Sequence, residues 1–395
     1  MSLKKPNIRH HLPIIIAVCV FAILVIGFFI IDYTNLFSVT YDSVVDNIKK
    51  DERPKVEPKK VLDFADYDHR MLVLAKASST IAFNDPEGNS TASSTLISIA
   101  NASSSVASTT ASTTVSLVHK KAPLWPAKAV YPNAGALLPF NRIVAYYGNF
   151  LSTKMGVLGQ YPADEMINKL QAEVAKWEAA DPTTPVIPAI DYIAVTAQGS
   201  SGADGKYRAR MPDKEIDHAI DLATRVNGIV FLEIQAGLSD LPTEIPVFEK
   251  YLKMPQVHLA LDPEFYMHNG NPPGTVIGTM DASDINYAAN YLADLVRANN
   301  LPPKILVVHR FTYAMVTNSK NITPLPEVQI VMDMDGWGSP AKKNTTYSKI
   351  VAAEPVQFTG FKLFYKNDIL PPSPRMMTYD EVMNLKPRPI FIQYQ

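Results

Sequence analysis

The chain has a single cysteine, Cys19, so it can form no intrachain disulfide and no cysteine-built zinc site. It lacks any excess of charge: 37 Lys and Arg stand against 38 Asp and Glu. No long Lys/Arg run follows the first few residues either, which argues against nucleic acid as a partner. Glycine-rich phosphate loops are missing too. The first strand-like run ends in Tyr147-Gly148-Asn149-Phe150, without the glycines such a loop needs, and no cofactor is expected. No His-x-His or His-Glu-x-x-His spacing occurs, which speaks against zinc, and no dedicated metal site is assigned.

What the chain does have is one long apolar run. Residues 12–31 carry no charged side chain, and a helix of that length spans ~30 Å, the thickness of a bilayer's hydrocarbon core. Lys4, Lys5 and Arg9 precede it and Asp32 follows it. The positive-inside rule therefore puts residues 1–11 in the cytoplasm as a short tail and the rest of the chain on the extracytoplasmic side. A cleaved signal peptide would have a shorter apolar core and a small-x-small site. Lipoprotein processing at Cys19 would want a small residue where Val18 stands. The expectation is a single-pass signal-anchor in the cell membrane, with the lipid bilayer as partner through residues 12–31.

Residues 32–76 read as a stalk. Lys49 to Lys60 is charged and carries Pro54 and Pro58, whereas 61–76 has apolar residues at Leu62, Phe64, Met71, Leu72 and Leu74 that suit one short helix. That helix would rest on the main domain or on a partner. Residues 77–125 are rich in Ser, Thr and Ala and cannot bury enough apolar surface to offset the entropy of ordering, so they read as a flexible linker.

Residues 126–395 form the folded domain. Strand-like runs recur at 142–147, 186–193, 228–235, 257–264, 304–310, 327–335, 359–365 and 389–394. Helical stretches fall at about 163–180, 213–226, 241–253, 282–299, 340–353 and 377–385, with a shorter one near 311–318. Asp281 and Ser283 look like capping residues for the fourth. This α/β rhythm, with near-continuous apolar strands, predicts a (β/α)₈ TIM-like barrel, a doubly wound open sheet being the alternative. The eighth strand runs directly into Gln395, so the segment before residue 142 is expected to cover that side or the barrel bottom.

In such a barrel the ligand site lies at the C-terminal ends of the strands. The polar residues cluster there: Tyr147 and Asn149, Asp191, Glu233 and Gln235, Asp262 and Glu264, His309 and Arg310, Asp333 and Asp335, Lys362, Gln393 and Tyr394. Strand alternation sharpens this. Asp262 with Glu264, Glu233 with Gln235, Asp333 with Asp335, and Lys362 each oppose apolar neighbours, so the polar parity should face the interior. Aromatics accompany them at Tyr146, Tyr147, Phe265, Tyr266, Trp337 and Tyr365, which suits a sugar with its apolar C–H faces and many hydroxyls. A purely structural ion-pair network, with His309, Arg310 and Lys362 neutralising the carboxylates, competes with this reading.

The Asp262-Pro263-Glu264 ending of the fourth strand resembles the catalytic strand of two groups of barrel glycosidases. These are the chitinase-like endo-N-acetylglucosaminidases, whose strand ends in Asp-x-Asp-x-Glu, and the cell-wall muramidases with Asp-x-Glu. The resemblance covers this strand alone, and Ala260 stands where an earlier Asp belongs in the chitinase pattern. It implies Glu264 as general acid and Asp262 as the group that orients the substrate's acetamido function. In a conventional scheme Glu233 or Asp333 would complete a catalytic pair. Tyr147, Asp191, Gln235, His309, Arg310, Asp335, Trp337, Lys362 and Gln393 would bind substrate. The expected function is a glycoside hydrolase acting on a cell-wall or extracellular polysaccharide. Two other classes stay open. One is a divalent-metal-dependent hydrolase or isomerase using Glu233, Asp262, Glu264, His309 and Asp333, with magnesium or manganese; the other is a non-catalytic carbohydrate-binding barrel. Through Ala145-Tyr146-Tyr147-Gly148-Asn149 and Gly360-Phe361-Lys362-Leu363-Phe364-Tyr365 the domain also resembles barrel domains of uncharacterised secreted or membrane-anchored bacterial proteins, a resemblance that implies location and fold only.

Overall fold

The computed structural model describes residues 61–75, 130–354 and 356–395. The expected cytoplasmic tail, the apolar run 12–31, most of the stalk and the linker lie outside the described residues. Among the described residues no helix is long and apolar enough to cross a membrane.

Eight parallel strands close into a barrel. They are β1 (Arg142–Gly148), β2 (Val186–Ala197), β3 (Ile229–Ile234), β4 (Val257–Leu261), β5 (Lys304–Arg310), β6 (Val328–Met334), β7 (Phe358–Leu363) and β8 (Phe391–Tyr394). Each pairs in parallel with its neighbour in sequence, and β1 pairs with both β2 and β8, which closes the ring and rules out the open sheet. Two apolar surfaces result from strand alternation. One parity, with Val144, Ile190, Leu232, Leu259, Val308, Met332, Phe361 and Ile392, packs outward under the helices. The other, with Ile143, Ala145, Ala189, Phe231, Ala260, Val307, Val331, Phe358 and Phe391, fills the lower interior.

The helices follow from their own sequences. α1 (Phe64–Ala75) precedes the barrel, and α2 (Ala163–Ala180), α3 (Asp213–Thr224) and α4 (Ala282–Asn299) cover it. α4 starts where Asp281 accepts a bond from the Ser283 amide and Asp284 completes a capping box; it stops at Asn300, whose left-handed backbone turns the chain away. The stretch expected as one helix at 241–253 is three short pieces, Leu241–Glu244, Ile245–Phe248 and Glu249–Leu252. Pro246 has no amide hydrogen to continue the helical ladder, so the middle piece is a 3₁₀ turn. Pro340–Thr346 runs into a π-helical turn, Tyr347–Val351, and Tyr379–Met383 is the last short helix. No helix forms over 311–318. Tyr313–Met315 makes a single 3₁₀ turn and Val316–Thr317 pairs instead with Met280–Asp281.

α1 closes the barrel bottom. Its buried face, Tyr67, Met71 and Leu74, joins Leu138 and the lower interior residues in one apolar cluster. Arg388 donates its amide to the Leu74 carbonyl at 2.8 Å, tying the helix end to the approach to β8. Two polar side chains at this end bond to the backbone, although His258 Nε2 is buried without a partner. Gln329 accepts from the amides of Leu137 and Leu138 at 3.0 and 3.1 Å and donates to the Leu138 carbonyl, and His258 Nδ1 accepts from the Ile305 amide. The bottom is thus plugged by the apolar face of α1.

Met71 is 2 % exposed within this plug. Met71→Ala is expected to lower unfolding free energy by about 2–5 kcal/mol, because a buried truncation loses transfer energy and leaves a cavity. Urea unfolding of the wild type and variant measures it. A loss below about 0.5 kcal/mol would mean that α1 does not fold as part of the barrel core.

Candidate active site

Moving up the interior, every strand turns polar at its end. The inward positions are Tyr147 on β1, Asp191 on β2, Glu233 on β3, Asp262 just after β4, His309 on β5, Asp333 on β6, Lys362 on β7 and Gln393 on β8. All are buried. Parallel register places them side by side, with Tyr147 against Asp191, His309 against Asp333, and Lys362 against Gln393.

His309 is the centre of the network. Its Nε2 lies 3.0 Å from Glu233 Oε2, its Nδ1 3.1 Å from Asp333 Oδ2 and 3.6 Å from Asp335 Oδ2. Tyr147 donates its hydroxyl to Glu233 Oε1 at 3.0 Å, and Gln235 donates its amide to the same oxygen at 3.1 Å and to Asp262 Oδ2 at 3.4 Å. Gln393 donates to Asp191 Oδ2 at 2.6 Å. Lys362 pairs with Asp335 Oδ1 at 3.1 Å, its ammonium 3.7 Å from the centre of the Tyr147 ring. Gly360 makes room for this layer, since a Cβ there would stand 2.4 Å from Asp333 Oδ1.

There are more carboxylates than cations, and burial sorts their protons. Burial raises Asp191 and Asp262 well above the usual carboxylate range, with Glu233's charge adding to both. Burial also works to raise Glu233, but the charge and hydrogen bond of His309, helped by Lys362, hold it below that range. His309 behaves in the converse way: burial opposes its charge, but Glu233 and Asp333 raise it well above an ordinary histidine. The buried floor therefore favours a Glu233 carboxylate against a charged His309, while Asp191 and Asp262 are pushed toward their neutral forms.

Above the floor a cleft of about 380 Å³ opens to solvent, and Tyr147, Asp262, Glu264, Asp335, Trp337 and Lys362 line it. Glu264 is half-buried, and burial together with Asp335's charge pushes its carboxyl up to about 7. Asp262 and Glu264 reach the cleft by a route that alternation did not predict. Pro263 has no amide to extend the ladder, so β4 ends at Leu261 rather than 264, and Pro263–Phe265 is a 3₁₀ turn. Asp262 Oδ1 caps that turn, accepting from the Glu264 amide at 3.0 Å. One side chain thus fixes the backbone that presents the other.

Trp337 is 48 % exposed at the cleft edge, with the Lys342 ammonium 4.7 Å from its ring centre. The loop carrying it is held from below: Gly338 donates its amide to Asp368 Oδ1 at 2.9 Å, and Asp368 Oδ2 pairs with buried Lys343 at 2.8 Å. Asp368, Lys343, Lys342, Phe311 and Phe364 were not singled out from sequence. Asp368, Lys343, Lys342 and Phe311 lie on loops and helices, where no strand period marks them, and Phe364 falls just past the end of β7 at Leu363. Phe265 does line the cleft, whereas Tyr146 and Tyr365 bond each other by their hydroxyls at 3.1 Å in the outer shell.

Arg310 does not join the site. It follows inward His309 and so points outward, donating to the carbonyls of Thr312, Tyr313 and Val316 and pairing with Glu354 at 2.8 Å. Glu233 and Asp333 lie in the floor beneath the cleft, both fully buried. Asp191, Glu233 and His309 offer donor atoms all within 4.8 Å of one another, a geometry that can hold a metal ion.

No family model and no curated protein sequence matches this chain. Among solved structures it is similar to a cellulase, Cel5C_n, at 13 % identity and a TM-score of 0.37, over 65 % of this chain and 75 % of that one. A mannanase, man26, from Bacillus subtilis aligns at 12 % identity and 0.34, over 65 % and 79 %. A GH18 chitinase from Pseudoalteromonas aurantia aligns at 10 % identity and 0.33, over 65 % of this chain and 94 % of that one.

Proposed function

We propose that the domain is a glycoside hydrolase acting on a cell-wall or extracellular polysaccharide, with Glu264 as its general acid. One observation carries this reading. Glu264 is the half-buried carboxyl of an open cleft, held near neutrality by burial and by Asp335, so it carries a proton that solvent and substrate can both reach. Trp337 and Phe265 supply flat apolar surface in the same cleft, and Lys342, Asp335 and Lys362 supply polar groups.

In the chemistry implied, the Glu264 proton passes to the glycosidic oxygen as the bond from that oxygen to C1 breaks. The substrate's own acetamido oxygen attacks C1 and closes a cyclic oxazolinium intermediate. Asp262 orients the acetamido group by hydrogen bonding. Water then opens the ring and gives its proton back to Glu264. For a sugar without an acetamido group, Asp335 is the second carboxylate available, since it lines the cleft, whereas Glu233 and Asp333 are engaged beneath it by His309. The run at 12–31 would anchor the enzyme in a membrane, with the 77–125 linker letting the barrel reach its polymer.

Glu264→Gln is expected to lower kcat/KM on an N-acetylhexosamine polymer by about 10²–10⁴-fold while thermal stability stays nearly unchanged. An unchanged rate would remove Glu264 from the acid role. Cleavage of no polymer in a broad panel, with glycan binding retained, would instead make the domain a binding module. The acid works protonated, so activity should hold below pH about 7 and fall about tenfold per unit as pH rises beyond it. A profile flat to pH 9 contradicts the assignment. For the anchor, the full chain should sediment with membranes and resist carbonate extraction; release into the soluble fraction would overturn it.

A further inference from the structure

We infer that the fully buried trio Asp191, Glu233 and His309 is a binding site for one divalent cation of the manganese or magnesium type, set in the barrel beneath the cleft. The donor atoms of these side chains lie within 4.8 Å of one another, but a cluster of acids alone would not make a site. The way each side chain is held does. Asp191 Oδ2 accepts from Gln393 at 2.6 Å, while its Oδ1, buried in the same place, has no hydrogen-bond partner. Glu233 Oε1 accepts from both Tyr147 and Gln235, leaving Oε2 turned toward His309. His309 Nδ1 faces Asp333 Oδ2 at 3.1 Å, which aims Nε2 at the same centre.

That is the outer shell a metal site needs. A ligating imidazole gives its other N–H to a carboxylate, and ligating carboxylates are themselves hydrogen-bonded on their second oxygen. Distances agree. Donors at right angles about 2.1 Å from an octahedral ion stand about 3.0 Å apart, the separation of His309 Nε2 and Glu233 Oε2. Opposite donors stand about 4.2 Å apart, a spacing compatible with donor atoms that all lie within 4.8 Å of one another. Two carboxylate oxygens and one imidazole nitrogen favour a hard or borderline ion over a soft one. Binding releases the proton between His309 and Glu233 and any proton on Asp191 to solvent, since the ligands are carboxylates and a neutral imidazole. None of the three ligands lines the cleft that holds Glu264, so the metal site is tested apart from the acid role of Glu264.

The test uses the full chain, stripped with chelator and then titrated with Mn²⁺ and, separately, Mg²⁺. The expected result is one Mn²⁺ per chain by calorimetry, a raised Tm, and an electron spin-echo signal from a single imidazole nitrogen. Asp191→Asn should weaken Mn²⁺ binding at least tenfold. If that variant fails to fold, the imidazole signal of the wild type decides, because no other histidine belongs to the trio. A folded, stripped chain that takes up neither ion overturns the proposal. So does Mn²⁺ that binds without nitrogen coupling, or with unchanged affinity in Asp191→Asn.

Discussion

The contact between His309 and Glu233, closed on the other side by Asp333, is the interaction around which this barrel is arranged. All three side chains are fully buried, and an isolated charge there would be prohibitively costly. Each group is tolerable only because the others are present. Removing one partner of such a buried pair typically costs about 3–5 kcal/mol, since it strands the remaining charge. Three strands, β3, β5 and β6, are thereby committed to one register at their C-terminal ends. Lys362 and Asp335 make a second pair at the cleft edge and bring β7 into the same arrangement.

The lower barrel makes this expense bearable. Below the polar layer the interior is mainly apolar, Gln329 and His258 apart, from Ala145, Ala189 and Phe231 down to the α1 plug of Tyr67, Met71 and Leu74. Cross-sections of this kind supply the hydrophobic free energy while the upper layer supplies little or none. The cleft is what distinguishes Glu264 from the rest. Burial raises Asp191 and Asp262 in an enclosed layer, whereas it raises Glu264 at an open surface.

Much of this was legible in the sequence, and the failures have identifiable causes. Strand positions were readable because each is a short apolar run between polar breaks, and β5 was placed at its observed bounds, 304–310. Parity located Glu233, Asp333 and Lys362 in the interior because those strands are regular to their ends. Arg310 was misplaced although the same rule, applied to its neighbour His309, sends it outward. The expected strand at 257–264 overran because the pattern did not register what Pro263 does to a ladder. The Lys343–Asp368 pair beneath the Trp337 loop could not be read at all. Its partners belong to different elements, and only the closed barrel brings them together.

The Asp262-Pro263-Glu264 stretch shows why a short motif can point to the right place by the wrong geometry. Alternation would have put both carboxyls on one strand face, about 7 Å apart and equally buried. Instead the proline ends the strand, Asp262 turns its carboxyl back onto the next amide but one, and Glu264 is lifted to the cleft. The two acids then meet different surroundings. One is buried against Gln235 at the base of the cleft, the other is half-exposed beside Asp335. Neighbouring carboxyls whose environments differ in this way are suited to different tasks, one positioning and one transferring a proton. A regular strand would have given both acids the same environment, so the division between them follows from the break at Pro263.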